Sequence, residues 1–151
     1  MEKINCILLI DDNQADNVYH KIIIEEADIC NHIKLAKSGI EGLNYIIKSG
    51  EQVQSAPDSL KSEMEANEPF PKPDLIYLDI NMPGMNGFEF LEEYKKLDAK
   101  LKSKAVIIML TTSLNPDDKQ KALSYKEVKE FQNKPLTVES LHKAAEKYCG
   151  M

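Results

Sequence analysis

The chain has 151 residues, 25 of them acidic and 19 Lys or Arg, with a net charge of −6. Those 19 basic residues are all lysine, so no guanidinium fork exists for phosphate or guanine, which argues against a nucleic-acid role. The length suits one domain with a real core. The three cysteines lack CxxC or metal spacing and point to reduced thiols, and no apolar stretch reaches membrane-spanning length.

The opening MEKINCILLIDD lacks the basic start and cleavage site of a signal peptide. A soluble, cytoplasmic protein with no membrane association is expected. Its apolar run, 4–10, predicts a first strand with Cys6 in the core, and it ends on Asp11-Asp12. Residues 15–27 predict a helix, with Ala15, Val18, Tyr19, Ile22 and Ile23 at helical spacing. HIKLA, 32–36, predicts a second strand. A second helix is expected over 39–49, with Leu43, Ile46, Ile47 and Ile40 on one face. Ser38 and Glu41 form its capping box and Gly50 its C-terminal stop.

Residues 51–73 break the rhythm. They are polar and acidic and carry four prolines, and they are too long for an ordinary connection. An extended, exposed loop insertion is expected there, because loop length costs little entropy. A partner-recognition loop is the other reading.

DLIYLDI, 74–80, predicts a third strand ending on Asp79, followed at once by the turn NMPGMNG. A helix over 87–97 follows, with Phe88, Leu91, Tyr94 and Leu97 on its inner face. AVIIML, 105–110, predicts a fourth strand ending on Thr111-Thr112-Ser113. A weaker helix, 116–125, opens with Asn115-Pro116. The weak apolar run VKEFQN, 128–133, ends on Lys134-Pro135. The last helix, 138–148, has Thr137 as its N-cap. Three of the five strands are near-continuous Ile/Leu/Val runs, as in a parallel sheet covered on both faces. The β-α alternation argues for an open α/β sheet with helices on both sides.

In such a sheet the polar residues that close each strand lie on one edge, where ligands bind. Asp11, Asp12, Asp79, Asn81, Thr111 and Lys134 therefore converge from across the chain. Three carboxylates repel one another unless a cation sits among them, and hard oxygen ligands favour Mg²⁺. A lysine supplies a point charge for a phosphoryl oxygen, and an aspartate beside Mg²⁺ can take a phosphoryl group covalently. Taken singly, each residue has a plainer reading as a helix cap, turn former, solvated strand end or surface lysine.

ILLIDDN, DLIYLDINMPGMNGFEFL, IIMLTTS and FQNKPL resemble the four signatures of two-component response-regulator receiver domains. The resemblance covers nearly the whole chain, with 51–73 as the main departure. It implies a flavodoxin-like, doubly wound (βα)5 fold with strand order 2-1-3-4-5, and a single receiver domain over 1–151. It implies that Asp79 is the phospho-acceptor and that Asp12 binds Mg²⁺ directly. Asp11 would act mainly through metal-bound water, and Asn81 would offer its backbone carbonyl. Thr111 would be the switch hydroxyl, Phe131 the switch aromatic, and Lys134, before a cis peptide bond, the phosphoryl-binding lysine. The side chains at Asn81 and Ser113 would help set the lifetime of the phosphorylated state.

The phosphoryl group would come from a partner histidine kinase or phosphotransfer protein docking mainly through the first helix. The signal would pass to an unidentified downstream protein through the surface of 116–125, 128–133 and 138–148. Such a protein is not an enzyme toward other substrates. It promotes only its own phosphorylation and dephosphorylation. Asn13 stands where a third acid is frequent, and SYKEVKEF leaves the start of the fifth strand open.

Two other classes compete. A haloacid-dehalogenase-type phosphatase also uses a strand-end aspartate and Mg²⁺, but its nucleophile closes the first strand in a D-x-D pattern. A receiver-like module that binds proteins without phosphorylation would usually have lost an acid, the acceptor or the lysine. His20, His32 and His142 sit in no phosphotransfer motif and are expected to be surface or cap residues.

Overall fold

The computed structural model describes residues 3–55, 70–102 and 105–150. The strands are β1 (Ile4–Ile10), β2 (Cys30–Ala36), β3 (Leu75–Leu78), β4 (Val106–Thr111) and β5 (Val128–Asn133). The helices are α1 (Gln14–Ala27), α2 (Gly39–Ser55), α3 (Gly87–Lys95), a single turn α4 (Ala99–Lys102), α5 (Pro116–Leu123) and α6 (Val138–Tyr148). All paired strands are parallel, in the order β2-β1-β3-β4-β5. This is the flavodoxin-like, doubly wound arrangement expected from the sequence. Of the expected insertion, residues 56–69 lie outside the described residues.

The apolar runs are continuous because alternate side chains enter two different cores. Leu8, Ile10, Ile76, Leu78, Ile107 and Met109 face α2, α3 and α5, where they meet Leu43, Ile46, Leu91 and Ala122. Ile7, Leu9, Leu75, Tyr77, Ile108 and Leu110 face α1 and α6, where they meet Ile24, Leu141, Ala144 and Ala145. Cys6 is fully buried, as expected. Truncating any one of these large aliphatic side chains to Ala costs about 2–5 kcal/mol.

The edge strand β5 is the weakest apolar run, and it carries a register shift. Ile107 pairs with Val128, but Ile108 pairs with Glu130, so Lys129 is an extra residue. Val128 and Phe131 consequently face the same core layer, although three positions separate them.

Four local expectations need correction. Helix α2 does not stop at Gly50 but runs on to Ser55. Gly50 is there for proximity, since a Cβ on it would lie 2.8 Å from Leu101 Cα on α4. Ile40, placed with the inner face, is exposed. In α1, the residues picked out by spacing point largely outward. Val18, Tyr19 and Ile22 are 55%, 49% and 48% exposed, while Asn17, His20, Ile24 and Ala27 are buried. The inner stripe is polar at its N-terminal end because that end abuts the acidic edge of the sheet. His20 is therefore neither a surface nor a cap residue. Burial, and then the nearby Lys134 charge, hold its imidazole below the ordinary value.

Candidate functional site

Each site residue is delivered by a strand end. The amide of Asp11 donates to Ala36 O at 3.1 Å, and that of Asp79 donates to Ile10 O at 3.0 Å. Both acids thus stay tied to the sheet one residue past their strands. The amide of Lys134 donates to Thr111 O at 2.9 Å, which fixes the ends of β4 and β5 together. The Lys134-Pro135 bond is cis.

Close packing also sets the end of β3. The Gly87 amide donates to Ile80 O at 2.8 Å. A Cβ on Gly87 would come 2.5 Å from Asp79 O, so only glycine lets α3 start this close. Asn86 and Glu89 close the α3 N-terminus with a capping box.

Asp11 and Asp79 are buried, while Asp12 is exposed beside them. One carboxylate oxygen from each of Asp11, Asp12 and Asp79 lies within 4.8 Å of the other two. Oxygens on opposite sides of a Mg²⁺ ion are about 4.2 Å apart, so this all-oxygen set has the right chemistry and span for a small hard cation. Asn81 sits exposed in the loop after β3, two residues beyond Asp79.

Lys134 reaches into the same cluster. Its Nζ lies 2.6 Å from Asp11 Oδ2, 2.7 Å from Asp16 Oδ2 and 3.4 Å from Asp79 Oδ2. Desolvation disfavours the charged ammonium, but the bonds to Asp11 and Asp16 and the charge of Asp79 outweigh it, and the net shift is upward. Asp79 is held above the ordinary carboxylate range, first by burial and then by repulsion from Asp11. Lys134, the Thr111 hydroxyl and the Ile80 amide pull the other way. That amide donates to Asp79 Oδ1 at 2.8 Å.

Thr111 is fully buried, and its hydroxyl stands near enough to Asp79 to favour the ionised carboxylate. Its Oγ1 also accepts from the Ser113 amide at 3.2 Å. The Ser113 hydroxyl donates to Asp118 Oδ2 at 2.6 Å, which links this loop to α5. Phe131 is not at the carboxylates. It lies partly buried on β5, paired with Met109 and packed on the α2/α3/α5 core.

The structure thus brings Asp11, Asp12, Asp79, Thr111 and Lys134 together. Two further residues belong to the cluster. Asp16, on the first turn of α1, binds Lys134, and Asn17 Nδ2 donates to the Asp11 carbonyl at 2.8 Å. An acid in a first helical turn already has a plain explanation in the helix dipole. The available signal was its place in the first turn of a helix that begins two residues after the acid pair.

Three clustered carboxylates, a buried hydroxyl and a lysine at one edge of a 2-1-3-4-5 sheet invite comparison with known proteins. The family model of the response regulator receiver domain matches residues 7–146. The chain belongs to the response regulator receiver domain family.

Receivers of similar sequence include Two-component response regulator ARR17 of Arabidopsis thaliana, 31% identical over 95% of this chain and 84% of that protein. Response regulator Rcp1 of Synechocystis is 30% identical over 74% of this chain and 65% of its own length. This chain therefore spans just under two thirds of Rcp1. A two-component response regulator from Cytophaga hutchinsonii, 30% identical, superposes with a TM-score of 0.76 over 99% of this chain and all of that one. The Mn²⁺-bound form of Rcp1 superposes with a TM-score of 0.64 at 26% identity, covering 94% of this chain and 89% of that one. Receiver domains belong to two-component signalling and are in general not conventional enzymes. No described helix is long and apolar enough to cross a membrane.

Proposed function

We propose that this receiver accepts a phosphoryl group on Asp79 from the phosphohistidine of a partner histidine kinase or phosphotransfer protein. The observation that carries this reading is the placement of Lys134 Nζ between Asp11 and Asp79, at 2.6 and 3.4 Å, beside the buried Thr111. An Asp79 oxygen attacks phosphorus, the P–N bond breaks, and the imidazole leaves with the electron pair and takes up a proton. The product is an acyl phosphate on Asp79.

A divalent cation fits the donor set. Asp11, Asp12 and Asp79, with the Asn81 carbonyl, would hold Mg²⁺, which when bound neutralises charge on the transferred group. Crystallisation of the similar Rcp1 in a Mn²⁺-bound form supports divalent-cation binding. Lys134 meets the phosphoryl oxygens as a point charge, and Thr111 donates its hydroxyl. Drawing Thr111 toward the phosphoryl group vacates space beside β5 and lets Phe131 turn inward. The surface of α5, β5 and α6 then shifts population toward a form that a downstream protein binds.

The partner docks mainly on α1, where Val18, Tyr19 and Ile22 form an exposed apolar face next to Asp12. The chain acts as a single cytoplasmic receiver domain. It catalyses no reaction besides gain and loss of its own phosphoryl group, and it binds neither nucleic acid nor membrane. The test is incubation with Mg²⁺ and acetyl phosphate, followed by measurement of acid-stable, base-labile label. Wild type takes up label and Asp79→Asn does not. Label persisting in the variant overturns the acceptor assignment. A wild type unlabelled by acetyl phosphate and by a kinase moves the phosphorylation-independent module ahead.

A further inference from the structure

The acids at the start of α1, α2 and α3 behave differently. In α3, Glu89 turns back to accept from the Asn86 amide at 3.1 Å, and in α2 Glu41 turns back to the Lys37 amide at 3.4 Å. Asp16 holds the same third position of α1, yet its carboxylate turns to Lys134 instead of the cap. The Asn13 side chain accepts from the Asp16 amide at 3.1 Å, and the Asn13 amide donates to Asp11 Oδ1 at 3.0 Å. The Asp16 carboxylate is left to Lys134, which it meets at 2.7 Å.

The Lys134 ammonium has three protons, and three carboxylates surround it. Two of them, Asp11 and Asp79, also belong to the set of acids that suits a cation. Once a dication shares Asp11 and Asp79, their hold on Lys134 weakens, and the dication itself repels the ammonium. Asp16 lies outside that set and keeps its full charge for the lysine. A lysine head on a flexible four-carbon stem needs such a restraint to stay near the acceptor.

We propose that Asp16 is a positioning residue for phosphoryl transfer. It holds the Lys134 ammonium at the acceptor when a divalent cation occupies the acidic edge. The inference rests on the reading of Asp79 as phospho-acceptor.

The test uses Asp16→Asn, which keeps the shape and removes the charge, and Asp16→Glu, which keeps the charge. Two quantities are read with the full chain. The first is the ¹⁵N-lysine NMR signal of the Lys134 ammonium protons with saturating Mg²⁺, assigned by its loss in Lys134→Met. The second is the acetyl phosphate labelling rate at saturating Mg²⁺, resolved into maximal rate and half-saturating donor concentration.

Wild type should keep a slowly exchanging ammonium signal in Mg²⁺, and Asp16→Asn should lose it. The maximal rate of Asp16→Asn should fall about ten-fold, the scale of one lost hydrogen bond between charged groups, with the half-saturating concentration unchanged. Asp16→Glu should restore most of both. A purely helix-capping role for Asp16 would shift the melting curve and leave both readouts at wild type. An Asp16→Asn protein that keeps the ammonium signal and the wild-type maximal rate overturns the inference while leaving the acceptor reading intact. A wild type that takes no label overturns both.

Discussion

The Lys134 ammonium binds the Asp11 carboxylate at 2.6 Å across 123 positions of sequence. It joins the end of β1 to the end of β5 over Asp79 between them. Both side chains are nearly buried, at 10% and 7% exposure. Removing the lysine therefore leaves Asp11 and Asp79 facing each other without compensation.

Lys134→Met is expected to lower stability. Breaking a fully buried pair costs about 3–5 kcal/mol. Here Asp16 and the open side of the cluster let water share the charge, so about 1–3 kcal/mol is expected. Urea unfolding at neutral pH without divalent cations measures it. A wild-type midpoint would show that the lysine does not compensate the acids.

Asp79→Asn should act in the opposite sense. Burial, and then Asp11, raise the Asp79 pKa above the ordinary carboxylate value. A group with a higher pKa folded than unfolded holds its proton more tightly in the native state. The stability linked to that proton is fully present below the unfolded pKa and is lost as pH rises through the folded one. At pH 7 the ionised Asp79 is thus a net cost, and the asparagine variant should unfold at a higher urea concentration than wild type. The gap should narrow as pH falls toward 3.8. A lower midpoint for the variant at pH 7 contradicts this electrostatic account.

Cation binding should separate Asp12 from its neighbours. Asp12 is exposed, so Asp12→Asn should leave metal-free stability within about 0.5 kcal/mol of wild type. Mg²⁺ at 100 times its dissociation constant should stabilise the wild type by about 2.7 kcal/mol. The variant should lose most of that gain at the same Mg²⁺ concentration. Thermal melts with and without Mg²⁺ decide it, and an undiminished gain would remove Asp12 from the metal set.

Gly87→Ala tests the steric placement of the acceptor. Its Cβ would sit 2.5 Å from Asp79 O, closer than backbone atoms tolerate, so α3 or the acceptor must move. About 1–3 kcal/mol of stability should be lost, as for other overpacked sites. Acetyl phosphate labelling of the folded fraction should also slow, because the carboxylate is displaced from Lys134 and Thr111. Normal stability and normal labelling together would mean that the close approach is not needed.

Strands and site were legible for the same reason. A strand covered on both faces needs an unbroken apolar run, so INCILLI and AVIIML stand out, and the first polar residue after each run marks the sheet edge. Asp11, Asp79 and Thr111 were readable as strand ends, and their sequence order placed them together. What periodicity could not supply was which of two helical stripes turns inward. In α1 the more apolar stripe, Val18, Tyr19 and Ile22, faces out, and the inner one carries Asn17 and His20 beneath a charged site. Gly50 misled because a close helix crossing at Leu101 and a helix end both favour glycine. Asp16 stayed hidden because an acid in the first turn of a helix is already explained by the helix dipole.

The extra residue in β5 has a consequence of parity. Side chains along a strand alternate between faces, so residues an odd number apart normally point to opposite sides. Lys129 breaks that count once, and this is why Val128 and Phe131 share a layer. Deleting Lys129 would leave the two residues two positions apart and still in one layer, whereas a strand that kept Lys129 in regular alternation would carry either Val128 or Phe131 to the wrong side of the sheet. One uncounted residue on the edge strand thus decides which half of the molecule the aromatic ring belongs to. A chemical event on Asp79 that reaches Phe131 through Thr111 would be heard first in the α2/α3/α5 layer, and α1, which carries the proposed docking face on the other side of the sheet, would stay comparatively undisturbed.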